Sequence, residues 1–278
     1  MNLFNPDQIM ASYLASGEKK VISPVWRLLL LGILAGMLTG FGSAVTNTAT
    51  HAIDNVSVAR IIYGLLFPFG LGMAILLGGE LFTGNCMLPI CVLEGKASVW
   101  GMLKNWLWVY TGNFLGAGLL AAGCAFFGQL EFSNGGLALH TLKVATTKCS
   151  LPFANGVVLG LFCNILVCIG VLCAISAKDT TGKILASYLP IAFFVICGFE
   201  NSVANMYYIP AGLFAKSIPK YAELAAQNGL NTDMLTWSNY LLRNLLPVSL
   251  GNLLGGLAVG LLMWLCYLRW KPDTSKAG

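Results

Sequence analysis

Charged side chains are scarce in this sequence of 278 residues, of which Asp, Glu, Lys and Arg make up only 10%. An ordinary soluble domain carries about 25%. The 16 basic residues are also scattered, so no basic stripe is present that could follow the phosphates of a nucleic acid. This scarcity excludes a charged coiled coil and a disordered chain as well.

What the sequence has instead is apolar surface. Hydrophobic residues make up 57% of the chain, and the mean hydropathy is +0.75. So many apolar side chains would overfill the core of a soluble protein of this size. The 32 glycines point the same way, because helices in lipid approach each other through small residues. We predict an all-α polytopic membrane protein.

Histidine is nearly absent, with only His51 and His140, and the cysteines form neither a CxxC motif nor a cluster with histidine. The sequence contains no HExxH motif and no intramembrane aspartate pair, which argues against a membrane-embedded protease. The nine cysteines lie mostly in apolar runs, where Cys acts as a small hydrophobic residue. We therefore expect no catalytic residues, no enzyme activity, no metal ion and no cofactor.

Six uncharged stretches are candidates for membrane helices, each of which needs about 20 apolar residues. They are 28–50, 61–79, 105–130, 149–177, 184–199 and 244–268. Two further uncharged pieces, 81–93 and 201–215, are too short to span comfortably, and they follow Glu80 and Glu200. We predict that the second and fifth helices are broken at these acids, since irregular backbone at membrane depth is tolerated only inside protein or beside a cavity.

The two predicted breaks belong to an internal repeat. Each has a glycine just before the glutamate and an asparagine five residues after it, Asn85 in the first and Asn205 in the second. Downstream, a Gly-Asn pair within a GxxxG pattern recurs at Asn113 and Asn252. Because each half has three helices, an odd number, the second half must enter the membrane from the opposite side. The sequence therefore predicts an inverted 3+3 repeat.

The chain, 1–278, is predicted to be a single transmembrane domain with three-helix repeats at 25–130 and 149–270. Residues 1–24 precede them as a cytoplasmic amphipathic segment. An apolar stripe at helical spacing predicts a short helix on the inner membrane surface, with a frayed tail as the alternative: Leu3, Phe4, Ile9, Met10, Tyr13 and Leu14. Ten of the 16 basic residues fall on the side of the N-terminus. This bias predicts a plasma membrane protein with both termini in the cytoplasm.

Glu80 and Glu200 are candidate functional residues, because ionisable groups inside apolar stretches are costly. Each could accept hydrogen bonds from backbone N–H groups freed at its break, or could contact a substrate directly. We expect Asn113 and Asn252 to bond the loosened backbone of the breaks. Lys148 stands before the fourth span, either as an interfacial lysine or as part of an electropositive vestibule that attracts anions.

These motifs resemble those of the formate/nitrite transporter family over nearly the whole chain. ELFTG at 80–84 is similar to the family's first broken-helix signature, and GFENSVANM at 198–206 is similar to the second. KNW at 104–106 with GN at 112–113, and LGN at 250–252, match the other two motifs. The resemblance implies an aquaporin-like subunit of six helices and a symmetric homopentamer with one pore per subunit. It also implies passage of small monovalent anions such as formate, nitrite, hydrosulfide or lactate.

The resemblance further implies which side chains line the substrate path. Phe67, Val167 and Phe194 would form an outer hydrophobic constriction, and Leu71 and Leu81 an inner one. The other implied path residues are Phe82 near the inner constriction, Thr83 and Asn252 as polar contacts, Lys148 in the vestibule, and Asn164 on the fourth helix.

One position departs from the family pattern. Asn201 follows Glu200, where most bacterial members carry histidine. The usual proposal is that the anion is protonated between the constrictions with the histidine as partner. Asparagine has no proton to give, although its amide can donate and accept hydrogen bonds. Either the substrate takes its proton from water and the pH switch is weakened, or the pore conducts the anion with weaker proton coupling.

The resemblance therefore implies a membrane channel for a small monovalent anion or its conjugate weak acid, with formate as the first candidate. A nitrite or hydrosulfide channel of the same family is the nearest alternative. A neutral-solute pore of the aquaporin type is more distant, because neither break carries an Asn-Pro-Ala motif. An adaptor without transport is disfavoured, because a scaffold has no need for irregular backbone in the membrane.

Overall fold

The structure is a computed structural model that describes residues 3–270. Within this range the chain is built from helices and short connections. In chain order the helices are α1 (Pro6–Ile22), α2 (Val25–Thr50), α3 (Val56–Leu66), α4 (Pro68–Leu76), α5 (Phe82–Asn85), α6 (Pro89–Leu93), α7 (Val99–Phe126), α8 (Gly136–Cys149), α9 (Phe153–Ser176), α10 (Thr180–Cys197), α11 (Ser202–Lys216), α12 (Pro219–Gln227), α13 (Trp237–Asn239) and α14 (Leu246–Trp264). Two π-helical segments, Tyr240–Leu245 and Leu265–Arg269, flank α14.

Six helical spans of the described chain are long and apolar enough to cross a membrane, which confirms the predicted number. They are Val25–Thr50, Val56–Leu76, Val99–Phe126, Phe153–Ser176, Thr180–Cys197 and Trp237–Arg269.

The ends of some spans differ from the prediction. The fourth begins at Phe153 rather than at residue 149, because Cys149 is the last residue of α8 and Pro152 holds an extended backbone before α9. The sixth begins at Trp237, ahead of residue 244. A π-helical segment carries it past Arg243, whose exposed charge does not end the helix.

The backbone leaves helical geometry at both glutamates. Helix α4 ends at Leu76 and α5 begins at Phe82, with Gly78 in the left-handed region between them at φ +67°. Helix α10 ends at Cys197 and Gly198 follows at φ +73°. Glycine adopts this conformation without a steric penalty, which makes it a common residue at helix C-termini. The two halves then differ, because α11 has 15 residues whereas α5 has only four.

Glycines let the long helices pack in close pairs. A Cβ atom at Gly116 on α7 would lie 2.1 Å from the carbonyl oxygen of Ile33 on α2. In the second half, a Cβ at Gly251 on α14 would lie 2.0 Å from the carbonyl oxygen of Val157 on α9. Both distances are too short for any side chain, so these positions of the GxxxG patterns require glycine, as is typical of helices packed in membranes. The close pairs bring Asn113 and Asn252 next to the interrupted backbone.

The N-terminal segment is a helix rather than a frayed tail over Pro6–Ile22, and its start is stabilised by a capping box between Asn5 and Gln8. Its position at the inner membrane surface stays a prediction, but the face that carries Met10 and Tyr13 packs against the protein. These side chains are 0% and 3% exposed and pack into a hydrophobic cluster of the protein. Burial against protein removes the same apolar surface that the stripe would have offered to lipid. Residues 1–2 lie outside the described residues.

Candidate functional site

A small compartment lies where the two interruptions meet in the middle of the bundle. Its volume is about 20 Å³, which is room for one water molecule. Seven of the predicted path residues line it: Phe67, Leu71, Leu81, Thr83, Val167, Phe194 and Asn201. Thr39, Ile191 and Val203 complete the lining. The sequence did not single out these three, because they are ordinary small or apolar residues within helices.

Two aromatic side chains separate this compartment from a much larger cavity. Phe67 and Phe194 are 5% and 3% exposed, and their rings meet edge to face with centroids 5.8 Å apart. Both side chains line the compartment and also the larger cavity, as Asn201 does. A solute that moves from one space to the other therefore passes these three residues.

Four predicted path residues do not line the compartment: Lys148, which lines the larger cavity, and Phe82, Asn164 and Asn252. The ring of Phe82 packs edge to face against Tyr110 with centroids 4.9 Å apart. The Asn164 amide donates to the backbone oxygens of Thr83 and Asn252. The Asn252 side chain is likewise occupied by backbone groups, as described below. The side chains of Phe82, Asn164 and Asn252 pack behind the compartment lining, and their contact with a solute stays a prediction.

Asn201 occupies the N-cap position of α11. Its Oδ1 accepts hydrogen bonds from the backbone N–H groups of Val203 and Ala204 at 2.9 and 3.1 Å. Asparagine is among the preferred N-cap residues because its side-chain oxygen satisfies N–H groups that the first helical turn leaves free. With the oxygen so engaged, the amide NH₂ group is the part of the side chain left for a solute, and it can only donate.

Glu80 lies in a buried polar cluster, here called the first glutamate cluster, with Lys20, Asn85 and Asn105. The Lys20 Nζ lies 2.9 Å from Glu80 Oε2 and 2.7 Å from Asn85 Oδ1. The Asn85 Nδ2 donates to Glu80 at 2.7 Å and to Asn105 Oδ1 at 2.9 Å. Each polar group that the interruption brings into the bundle thus finds a partner, as burial requires.

Glu200 lies in a second glutamate cluster of the same composition, with Lys148, Asn205 and Asn244. The Lys148 Nζ lies 2.9 and 3.0 Å from the two carboxylate oxygens. The Asn205 Nδ2 donates to Glu200 and to Asn244 Oδ1, both at 2.7 Å. The side chains of Glu80 and Glu200 are each only 10% exposed, whereas their lysine partners are 24% and 18% exposed, so each carboxylate is largely buried and each lysine reaches toward solvent.

These clusters correct the expectation that each glutamate accepts hydrogen bonds from backbone N–H groups. The donors are lysine and asparagine side chains, and the lysine also neutralises the buried charge, which backbone groups cannot do. Lys148 lines the larger cavity, and its ammonium group is bound to Glu200. Lys20, Asn105 and Asn244 were not predicted as members of these clusters. Asn105 was marked only by its place in the KNW motif.

Asn113 and Asn252 hold the two interruptions from the neighbouring helices by the same three hydrogen bonds. The Asn113 Nδ2 donates to the carbonyl oxygens of Gly32 and Glu80 at 2.8 Å, and its Oδ1 accepts from the N–H of Phe82 at 3.0 Å. The Asn252 Nδ2 donates to Gly160 and Glu200, and its Oδ1 accepts from Ser202. Each amide therefore satisfies backbone groups that the helix ends leave free.

The larger cavity, here called the vestibule, has a volume of about 600 Å³. Its polar and charged lining includes His51, Asp54, Arg60, Tyr63, His140, Lys143, Lys148, Glu200 and Tyr208. The Tyr63 hydroxyl donates to Asn47 and lies 3.1 Å from His140 Nε2. Burial, with smaller contributions from His51 and Lys143, lowers the pKa of His140 to about 4. Its imidazole is therefore neutral near pH 7.

The nine cysteines are free thiols, and six of them are buried, in keeping with their predicted role as small hydrophobic residues. Within residues 3–270, no group of three or more His, Cys, Asp or Glu side chains is arranged to hold a metal ion.

Six membrane-spanning helices that enclose a narrow compartment, with a wide polar vestibule beside it, define the architecture of a membrane transport protein. The sequence profile described as formate/nitrite transporter matches residues 7–265. The chain belongs to the formate/nitrite transporter family. This family is one of transporters rather than enzymes.

Several relatives are similar over most of their length. A probable formate transporter of Methanothermobacter thermautotrophicus is 33% identical over 277 residues, which cover 92% of this chain and 94% of that protein. The formate channel FocA of Escherichia coli K12 is 34% identical over 245 residues, covering 86% of each protein. A solved pentameric formate channel with formate bound superposes with a TM-score of 0.76 at 34% identity and covers 88% of this chain and 98% of that chain. An FNT family ion channel superposes at 0.79 and 28% identity, covering 93% and 98%.

Proposed function

We propose that this chain forms a membrane channel for a small monovalent anion or its weak acid, with formate as the substrate. The observation that carries the proposal is the compartment of about 20 Å³, which admits only a very small solute. Its lining is mostly apolar, with Thr39, Thr83 and Asn201 as the polar residues. The high similarity to formate channels over most of the chain supports the choice of formate.

In this proposal the solute sheds most of its water at the Phe67–Phe194 pair. Removal from water disfavours the charged form, so the neutral acid enters the compartment more readily than the anion. The NH₂ group of Asn201 donates a hydrogen bond to a formate oxygen but supplies no proton. The proton therefore comes from water, and the pH switch that the family's histidine would provide is weakened in this chain.

We also propose that the subunit is an aquaporin-like inverted repeat with the second and fifth helices broken. Five pairs of residues with matching contacts support it: Lys20 and Lys148, Glu80 and Glu200, Asn85 and Asn205, Asn105 and Asn244, and Asn113 and Asn252. The backbone agrees, since the N–H of Glu80 bonds Leu31 on α2 and that of Glu200 bonds Leu159 on α9. Equivalent bonds on equivalent helices are the pattern that duplication with inversion produces.

The assembly and orientation follow the family resemblance. We propose a homopentamer in the plasma membrane with both termini in the cytoplasm. Large apolar side chains on the outside of the bundle, such as Phe69, Leu107 and Leu189, are 63%, 60% and 59% exposed in the single subunit. Such a surface requires lipid or neighbouring subunits to cover it.

Vesicle swelling tests the function directly. Proteoliposomes that contain the purified protein are diluted into ammonium formate, ammonium nitrite or glycerol, and light scattering follows their swelling. We expect fast swelling in formate and only the rate of empty liposomes in glycerol. Swelling in glycerol as fast as in ammonium formate would identify a neutral-solute pore. Faster swelling in ammonium nitrite than in ammonium formate would identify nitrite, rather than formate, as the preferred substrate.

The Asn201→His variant tests the role of the substituted position. We expect a steeper dependence of formate uptake on pH between about 5 and 7 than in the native protein, because histidine titrates in this range. Identical pH profiles in the two proteins would reject the proposed role of Asn201.

A further inference from the structure

The vestibule holds two cations that carry no partner charge. Lys148 also lines it, but its charge is neutralised by Glu200 at 2.9 Å. Arg60 and Lys143 are exposed, and neither takes part in a salt bridge among residues 3–270. Apart from Glu200, the only acidic residue of the described chain that lines the vestibule is Asp54. His140, which also lines it, is neutral near pH 7 and adds no charge. The net positive charge of the vestibule therefore comes from Arg60 and Lys143.

Arg60 lines the vestibule beside the second interruption. Its guanidinium packs against Gly198, where a Cβ atom would stand 3.1 Å from Nη1 and 3.3 Å from Nη2. Gly198 stands two residues before Glu200 and three before Asn201, which lines both cavities. The absence of a side chain at position 198 thus leaves the space that the guanidinium occupies.

Helix α3 carries Arg60 and Tyr63, and Phe67 directly follows its last residue, Leu66, with helical backbone angles. Arg60, Tyr63 and Phe67 all line the vestibule, and they are spaced by three and four residues, so they follow each other along the same face of the helix. Two helical turns, about 10 Å, separate Arg60 from Phe67. An anion bound at Arg60 is therefore about two turns from the aromatic pair that it must pass.

We propose that Arg60 is the docking residue for the incoming anion, a small monovalent carboxylate such as formate. Among residues 3–270 the guanidinium has no carboxylate partner and donates no hydrogen bond to a protein acceptor. Its planar fork matches both oxygens of a carboxylate, whereas an ammonium group offers a point charge. Lys143 adds positive charge from α8 without fixing the orientation of the anion. This inference rests on the proposed function, because it names the site from which that transport begins.

The test measures initial rates of formate uptake into proteoliposomes for the native protein, Arg60→Gln, Arg60→Lys and Arg243→Gln. Arg243 is an exposed arginine that does not line the vestibule, so its variant is a matched control for loss of one positive charge. We expect Arg60→Gln to raise the half-saturating formate concentration about five- to tenfold with less than a twofold change in maximal rate, the pattern for a lost binding contact. The half-saturating concentration of Arg60→Lys should lie between those of the native protein and Arg60→Gln, and that of Arg243→Gln should match the native protein.

An unchanged half-saturating concentration in Arg60→Gln would overturn the inference, whether or not the maximal rate falls. Line broadening of ¹³C-formate by the protein in nanodiscs gives a second measurement that does not depend on flux. We expect broadening with the native protein and its loss in Arg60→Gln. If the native protein broadens the signal but transports no formate, the proposed function fails and the docking site stands. Equal broadening by both proteins would reject Arg60 as the docking residue and leave the proposed function unaffected. If Arg60→Gln does not fold, the weakened binding expected of Arg60→Lys decides the question.

Discussion

The pairing of Lys20 with Glu80 makes a strong prediction about stability. In Lys20→Met, the Glu80 carboxylate, whose side chain is 10% exposed, keeps Asn85 as a donor but loses its counter-charge. Breaking a buried ion pair from one side costs about 3–5 kcal/mol. Because the Lys20 side chain is 24% exposed, water can reach the site, and we expect the lower value of about 2–3 kcal/mol. The double variant Lys20→Met/Glu80→Gln should cost less than the single one, because it leaves no buried charge.

The assay is thermal unfolding of the purified protein in detergent. A loss of about 1 kcal/mol lowers the midpoint by about 2–4 °C in a protein of this size, so Lys20→Met should melt about 5–10 °C below the native protein. The double variant should recover at least half of that loss. Lys19→Met is the control, because Lys19 is an exposed neighbour on the same helix. The reasoning is refuted if Lys20→Met has the same melting temperature as Lys19→Met, or if the double variant is less stable than Lys20→Met.

Three further predictions concern other parts of the site. Asn252→Ala removes three buried hydrogen bonds, and we expect a loss of about 2–3 kcal/mol in the same melting assay; a loss no larger than that of exposed Asn155→Ala would contradict it. The pKa of His140 is lowered to about 4 in the folded protein. As the pH drops from about 6.5 to about 4, His140 is protonated in the unfolded chain but stays neutral in the folded one, so the free energy of unfolding falls. The variant His140→Asn should flatten the melting temperature over that range, and an unaltered slope would count against it. Leu71→Ala enlarges the compartment and should raise acetate uptake relative to formate; an unchanged ratio would show that Leu71 does not limit solute size.

The six membrane spans could be predicted from sequence because charge is costly in lipid and therefore marks the ends of apolar stretches. The prediction erred where local backbone chemistry decides the boundary. Helix α9 begins after Pro152, a few residues beyond the start of the uncharged stretch at residue 149. The π-helical segment before α14 extends the sixth span through Arg243. Neither effect changes the hydropathy pattern, so a scan for charge places the ends a few residues away.

The glutamates and the asparagines five residues after them could be located from sequence, but their partners could not. Lys20 lies 60 residues before Glu80 in a polar segment that gives no sign of packing against the first interruption. Lys148 was recognised, but its ion pair with Glu200 depends on how α8 packs against α11. The compartment lining was missed in the same way at Ile191 and Val203, because an apolar residue in a helix carries no mark of which space it faces.

The small size of the compartment has a bioenergetic consequence. Protons cross a membrane rapidly along an unbroken file of hydrogen-bonded water, and apolar constrictions interrupt such files by excluding water. A space of about 20 Å³ lined by Phe67, Leu71, Leu81, Val167 and Phe194 holds one water molecule and offers few polar groups to connect it. In this geometry the compartment holds no continuous file of water, so we expect a proton to cross only together with the solute that carries it.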